Sequence, residues 1–234
     1  MGGYFMKAIS DLLALVYPEF CYACSQSLAH GENMVCTTCR LKLPYTNYHL
    51  LTSTENPLAN RFYGRIDVEH AFSYLTYVRA GRVQNLLHNL KYRNVPEIGE
   101  LLGKWYGSEL QKSGFKEKID LIVPVPLYYR KLKKRGYNQS DKFAKGLSDA
   151  LEIPWSSQVI KRVAESSTQT KKSRFARWQN VDKLFSVTQP EEIKERRILL
   201  VDDVLTTGAT LEACGQELLA NGCKSLSIAT IAAA

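Results

Sequence analysis

The chain has 234 residues, of which 45% are hydrophobic and 23% charged, and its formal net charge is +8. This composition is typical of an ordinary soluble globular protein of one or two domains, large enough to fold without disulfides. No run of about 18 apolar residues is present, which argues against a membrane span. The positive charge favours anionic partners, although a solvated basic surface would give the same composition.

Residues 1–20 predict an N-terminal amphipathic helix. The segment is partly apolar, but Asp11 interrupts it, and it has neither a basic n-region nor an A-x-A-like cleavage site. These features argue against a signal peptide. We therefore expect a cytoplasmic protein with no membrane span.

Four of the six cysteines form two CxxC pairs, and they are Cys21, Cys24, Cys36 and Cys39. One tetrahedral Zn²⁺ can take both pairs as thiolates, whereas two disulfides would need a secreted protein and a redox site would need only one pair. We predict a closed, structural zinc module at residues 21–45, with His30 in a loop. Removal of the zinc is expected to unfold residues 21–39 and to leave the ribose site largely intact. The remaining Cys214 and Cys223 are expected to be free, buried thiols.

After a polar connection at Thr46–Asn60, residues 61–234 predict an α/β domain. Short apolar runs predict strands at Val68–Val78, Ile119–Val123, Ile198–Val201 and Ser225–Ile231. Apolar residues at helical spacing predict helices around Val83–Leu90, Ile98–Trp105, Asn138–Leu151 and Leu211–Leu219. This alternation favours a parallel sheet flanked by helices.

The segment ILLVDDVLTTGAT, Ile198–Thr210, carries the strongest functional signal. A buried strand would bring Asp202 and Asp203 to the carboxyl edge of the sheet, where their carboxylates suit sugar hydroxyls or Mg²⁺ through water. The following turn leads into a helix, and N–H groups at a helix start bind anions. The predicted phosphate-binding residues are Thr206, Thr207, Gly208, Ala209 and Thr210. A carboxylate pair beside an anion site predicts a ribose 5-phosphate ligand.

Two other interpretations explain only parts of this segment. A threonine before a helix is a common N-cap, and adjacent acidic residues at a strand end bind Mg²⁺ in response regulators. Neither accounts for the TTGAT sequence. The chain has no Walker lysine and no GxGxxG motif, which argues against nucleoside-triphosphate and dinucleotide sites.

The segment resembles the phosphoribosyl diphosphate signature of type I phosphoribosyltransferases, and most of the chain resembles the ComF family (ComFC and GntX-like proteins). Besides the CxxC pairs, the shared motifs are LHNLKYR at Leu87–Arg93, VPVPL at Val123–Leu127, RGYNQS at Arg135–Ser140, and Thr168, Gln169, Arg177 and Asn180. The resemblance implies an α/β fold, a type I phosphoribosyltransferase-like parallel sheet flanked by helices, with a small N-terminal zinc-finger module of four cysteine ligands.

The resemblance also implies roles for other segments. It places a pyrophosphate loop at Pro124, Val125, Pro126 and Leu127, followed by a mobile closing loop at Arg130–Ser140. Arg135 is expected to be catalytic together with Asp202 and Asp203, because a cation stabilises charge on the departing pyrophosphate. Lys91 and Arg93 are weaker candidates, since a basic residue also stabilises a helix end.

Two basic clusters are candidate nucleic-acid contacts, and they comprise Arg130, Lys131, Lys133, Lys134, Lys171 and Lys172. For the first cluster, a solvated charge on a loop is an equally good interpretation. The region Thr168–Asn180 lacks the proline and the acidic character that the family often shows there. Its Phe175 and Trp178 would stack on bases or, as we expect, pack onto the core.

The resemblance implies a phosphoribosyl diphosphate-binding protein that serves natural transformation by handling internalised single-stranded DNA, with other DNA-uptake proteins as partners. One alternative is a metabolic, Mg²⁺-dependent phosphoribosyltransferase acting on a nucleobase or another small acceptor. Another is a non-catalytic adaptor that senses the ligand, although the intact Asp202, Asp203 and TTGAT argue against a decayed enzyme. No acceptor pocket is identifiable from the sequence, so enzymatic turnover is left open.

Overall fold

A four-stranded parallel sheet forms the centre of the structure. The computed structural model describes residues 18–52, 54–164 and 184–234. Its main sheet has the order β1-β6-β5-β2, from β1 (His70–Thr76), β2 (Leu121–Pro124), β5 (Arg197–Leu205) and β6 (Ser225–Ala233). All three pairings are parallel, which confirms the predicted sheet. A separate antiparallel pair is formed by β3 (Ile160–Arg162) and β4 (Phe185–Val187).

Helices connect the strands of this sheet. In the described part of the chain they are α1 (Thr37–Leu41), α2 (Arg82–Tyr92), α3 (Glu97–Lys112), α4 (Tyr129–Arg135), α5 (Gln139–Leu151) and α6 (Ala209–Ala220). Short 3-10 turns lie at Tyr48–Leu50, Ala59–Arg61, Lys116–Lys118 and Pro190–Glu192. None of the helices within these described ranges is long and apolar enough to cross a membrane.

Two apolar cores pack on opposite faces of the sheet. Side chains alternate between faces along a strand, so Leu199 and Val201 of β5 join one core while Ile198 and Leu200 join the other. The first core holds the apolar faces of α2, α3 and α5 together with the cysteine-rich segment. The second holds the buried face of α6 and the β3–β4 pair. The sequence predicted apolar strands here because both faces of these strands are covered.

The polar connection at Thr46–Asn60 is ordered where the structure describes it. The buried Asn56 side chain donates a hydrogen bond to the carbonyl oxygen of Ala71 in β1, at 2.6 Å. Its own side-chain oxygen accepts from the backbone N–H of Leu58, at 2.9 Å. Leu58 and Phe62 are buried in the second core, so this connection packs onto the sheet. Within the predicted N-terminal helix only residues 18–20 are described, and the region Thr168–Asn180 also lies outside the described residues.

Helices α3 and α5 approach each other closely through glycines. A Cβ atom on Gly103 would overlap the carbonyl oxygen of Phe143, and one on Gly146 would overlap the carbonyl oxygen of Glu100. Because backbone atoms form the contact, no side-chain rotation can relieve such an overlap. This packing fixes the start of α5, from which the site described below takes one of its hydrogen-bond donors.

We expect Gly146→Ala to lower the free energy of unfolding by roughly 1–3 kcal/mol, because overpacking forces the two helix backbones apart. Ser108→Ala, at an exposed position of α3, is the matched control and should change stability by less than about 0.5 kcal/mol. Chemical denaturation of the two variants measures both effects. Equal stability of the two variants would show that the helices separate without cost.

Candidate functional site

Asp202 and Asp203 lie near the carboxyl end of β5, and each carboxylate has a partner from a helix. The Ser140 hydroxyl, in the first turn of α5, donates to Asp202 Oδ1 at 2.8 Å. The Lys91 ammonium, in the last turn of α2, lies 3.0 Å from Asp203 Oδ1. Burial and the neighbouring Asp203 charge raise the pKa of Asp202 above its usual range. The pair is thus held where one further cation or hydroxyl donor would stabilise its ionised form.

The turn at Thr206–Thr210 follows directly and opens helix α6. Gly208 has a φ of +80°, a conformation that other residues rarely adopt. A Cβ atom there would also lie only 3.1 Å from the ring of the buried Phe62. Among the described residues, the backbone N–H groups of Thr207 and Gly208 have no backbone acceptor. Together with the helix dipole, they form a place for an anion.

Two arginines from the segment before β1 hold this turn through its carbonyl oxygens. Arg61 donates to the carbonyl oxygens of Thr206, at 2.8 Å, and of Ala234, at 2.7 Å. Arg65 donates to the carbonyl oxygen of Thr207 at 3.2 Å and pairs with Glu212 in α6. Because these donors bind carbonyl oxygens, they hold the turn in place without using its N–H groups. Sequence analysis missed both arginines, since their partners lie more than a hundred residues away.

A cleft of about 260 Å³ brings together predicted site residues from several segments, but Thr206–Ala209 are not in its lining. Its lining includes Lys91, Val125, Pro126, Leu127, Lys131, Arg135, Ser140, Arg162, Asp202, Asp203 and Thr210. The Asn138 side chain donates to the carbonyl oxygen of Val125 at 3.0 Å and thereby fixes the segment predicted to bind pyrophosphate. Pro124 is the last residue of β2. Arg162, at the end of β3, was not predicted from the sequence.

The prediction of an irregular loop at the start of Arg130–Ser140 is wrong, because Tyr129–Arg135 forms helix α4. Lysine, leucine and arginine are good helix formers, and three basic residues in the last turn complement the helix dipole. Gly136, with a φ of +84°, ends the helix. Arg135 lies at this end, donates to Gln139 and stacks over the Tyr92 ring at 5.6 Å. It therefore faces the cleft from a helix end.

A basic groove of about 520 Å³ adjoins the cleft. It is lined by Lys91, Tyr92, Asn94, Lys131, Lys134 and Arg135. Of the first basic cluster, Lys131 and Lys134 line this groove, whereas Lys133 is exposed outside it and Arg130 stacks on Tyr129. Lys171 and Lys172 of the second cluster lie outside the described residues. The groove shares Lys91, Tyr92, Lys131 and Arg135 with the cleft.

The four CxxC cysteines meet in one cluster, with their sulfur atoms all within 4.8 Å of one another. In a tetrahedral zinc site with Zn–S bonds of about 2.3 Å, neighbouring sulfurs lie about 3.8 Å apart. The Cys24 and Cys36 sulfurs are 3.9 Å apart. Backbone N–H groups donate to the sulfurs of Cys21 and Cys36, as thiolates require. The cluster fits zinc, and His30 lies exposed outside it.

The remaining cysteines agree with the prediction of buried thiols. Cys214 and Cys223 are both buried and free. Burial raises the pKa of the Cys223 thiol to about 11 and also raises that of Cys214. Both groups are therefore protonated thiols at neutral pH, and both are buried in the second core.

Comparison with known proteins finds relatives of this chain. The family model of the phosphoribosyl transferase domain matches residues 138–234. DNA utilization protein YhgH of Escherichia coli K12 is 28% identical over 229 residues, covering 92% of this chain and 96% of that protein. Competence protein F of Haemophilus influenzae is 39% identical over 110 residues, covering 47% and 48%. Competence protein ComFC of Bacillus subtilis is 24% identical over 220 residues, covering 93% and 85%.

Over most of its length the chain is similar to these competence and DNA utilization proteins, and its C-terminal part matches the phosphoribosyl transferase domain. Its phosphoribosyl transferase domain match begins at Asn138 and includes Ser140, Asp202, Asp203 and the Thr206–Thr210 turn. The match to the ComF relatives extends over the cysteine module and α2 as well. Lys91, which lies in α2 and pairs with Asp203, is thus outside the matched domain but within the segment that the relatives match.

We expect the purified protein to contain about one zinc ion per chain, because four thiolates in a closed cluster bind Zn²⁺ tightly. Replacing Cys36 and Cys39 with serine should abolish zinc binding, measured by elemental mass spectrometry. Cys223→Ser, which alters a cysteine outside the cluster, is the matched control and should retain the metal. Zinc retained by the Cys36/Cys39 variant would contradict the assignment.

Proposed function

We propose that this chain is a ComF-family protein that binds phosphoribosyl diphosphate with Mg²⁺ and serves DNA uptake by handling internalised single-stranded DNA in the cytoplasm. The main support for this ligand is the carboxylate pair Asp202–Asp203, which lies directly before a helix start suited to an anion. A phosphate on the Thr206–Thr210 turn leaves the ribose hydroxyls facing the carboxylates. The pyrophosphate then extends toward Val125–Leu127.

The cations around the cleft support a ligand whose charge increases at one end. Lys91, Arg135 and Arg162 all line the cleft. If the pyrophosphate departs from the ribose, negative charge accumulates on it, and preorganised cations stabilise that charge. The oxygen donors of Asp202 and Asp203 fit Mg²⁺ held through water. Bound Mg²⁺ would offset part of the pyrophosphate charge.

The DNA part of the proposal is supported by the relatives and by the basic groove. One relative is named a DNA utilization protein and two are named competence proteins. The groove offers Lys131, Lys134 and Arg135 for backbone phosphates and an exposed Tyr92 beside them. Charge interleaved with an aromatic ring is the pattern with which proteins hold single strands.

One observation favours the alternative of a metabolic phosphoribosyltransferase. A second cleft, of about 480 Å³, shares Asp203 and Thr206 with the ribose-phosphate site. Tyr77, His88 and Tyr92 line it, so it offers aromatic surface to a small planar acceptor. Phosphoribosyl transfer to such an acceptor would release pyrophosphate. A pyrophosphate-release assay with nucleobases and with single-stranded DNA separates the two functions.

We expect Asp202→Asn combined with Asp203→Asn to weaken phosphoribosyl diphosphate binding about 100-fold, because charged hydrogen bonds to the ribose hydroxyls are lost. Isothermal calorimetry with Mg²⁺ measures the affinity. Asp149→Asn, at a surface ion pair with Lys104, is the matched control and should bind as the parent chain does. Equal affinity of all three proteins would rule out the carboxylate pair as the ribose site.

We expect Lys131→Ser combined with Lys134→Ser to weaken single-stranded DNA binding and reduce its salt dependence. Each lost phosphate contact lowers the slope of log K against log salt by roughly 0.7, so two contacts lower it by about 1.4. The pair Lys104→Ser and Lys112→Ser removes the same charge from another surface and serves as the control. If both double variants show the parent slope, the groove does not hold the strand.

A further inference from the structure

Helix α2 is hydrogen-bonded to the cysteine module through two asparagine side chains. Asn85 donates to the carbonyl oxygen of Ala23 at 2.9 Å, and Asn89 donates to that of Tyr22 at 3.1 Å. Both acceptors lie inside the first CxxC pair, Cys21–Cys24. The two asparagines are four residues apart and therefore lie on one face of the helix.

The same helix reaches the ribose-phosphate site at its other end. Lys91 follows Asn89 by two residues and pairs with Asp203 at 3.0 Å. It lies in the last turn of α2, and the last turn of a helix frays unless other contacts hold it. Lysine also has a long, flexible stem, so its position depends on how firmly this turn is held. The Asn89 hydrogen bond holds the turn on the side of the module.

We propose that the cysteine module positions Lys91, with Asn85 and Asn89 as the positioning residues. Zinc, when bound, fixes the Cys21–Cys24 knuckle and with it the two carbonyl acceptors. The module then acts on the site through α2, which differs from the expectation that the ribose site stays largely intact when the zinc is removed. The identity of the ligand rests on the proposed function. The contacts between the module, α2 and Asp203 do not depend on it.

A second contact limits the size of the effect. The Tyr137 hydroxyl, from the turn between α4 and α5, donates to the carbonyl oxygen of Leu90. Leu86 and Leu90 are also fully buried in the first core. Loss of the asparagine contacts therefore loosens the end of α2 without detaching it, and the expected loss of ligand affinity is partial.

A double-mutant cycle tests this route. We expect Asn85→Ala combined with Asn89→Ala to weaken phosphoribosyl diphosphate binding about fivefold, within the range of couplings that act through intermediate residues. In a Lys91→Met background the same two changes should cause no further loss, because the residue they position is gone. Asn33→Ala, at an exposed asparagine of the same module, is the matched control and should bind normally. Unchanged affinity of the Asn85/Asn89 variant, or losses that add in the Lys91→Met background, would overturn the inference.

A measurement without ligand separates this inference from the proposed function. Hydrogen–deuterium exchange of the backbone amides at residues 88–93 should become faster in the Asn85/Asn89 variant and after zinc chelation, while Asn33→Ala leaves it unchanged. Equal exchange in all the proteins contradicts the inference, even where the parent chain binds phosphoribosyl diphosphate. If the parent chain does not bind that ligand, the proposed function fails, and the exchange experiment still decides whether the module holds α2.

Discussion

The two adjacent carboxylates at the end of β5 are the constraint on which the rest of the site depends. Burial and the neighbouring Asp203 charge disfavour the ionisation of Asp202 and raise its pKa. One carboxylate is stabilised by the Ser140 hydroxyl and the other by the Lys91 ammonium. Both partners lie at helix ends, so the packing of α2 and α5 holds the donors of the two carboxylates in place. The glycine contact between α3 and α5 therefore helps to position the Ser140 donor, although the contact lies away from the site.

The anion-binding turn imposes a second requirement, because its N–H groups must stay free while its carbonyl oxygens are held. Arg61 and Arg65 meet that requirement by donating to the carbonyl side of the turn. Phe62, between them, packs so close to Gly208 that an added Cβ atom would lie only 3.1 Å from its ring. The segment 61–65 thus shapes the proposed phosphate site without lining its cleft.

Sequence reasoning succeeded where the signal is local and failed where the partner is distant. The CxxC pairs and the strand–turn–helix from β5 to α6 each lie within a few dozen residues, so spacing alone predicts how their side chains meet. Lys91 was a weak candidate because a lysine at a helix end has a simpler explanation, and only the fold reveals its carboxylate partner. Arg61, Arg65 and Arg162 have no local signal. Helix α4 was missed because its charge run was interpreted as a loop despite good helix propensity.

The sharing of cations between the cleft and the groove has an energetic consequence. Lys91, Lys131 and Arg135 line both, so a pyrophosphate in the cleft and a phosphate backbone in the groove would draw on the same positive charge. Two anions that share their counter-charges disfavour each other, and such coupling is reciprocal, because each ligand lowers the affinity for the other by the same factor. Arg135 is also stacked on Tyr92, so an occupant of the groove that takes the Tyr92 ring would release this arginine toward the cleft. The two effects have opposite signs, and the measured coupling between the ligands therefore reports whether shared charge or the release of Arg135 dominates.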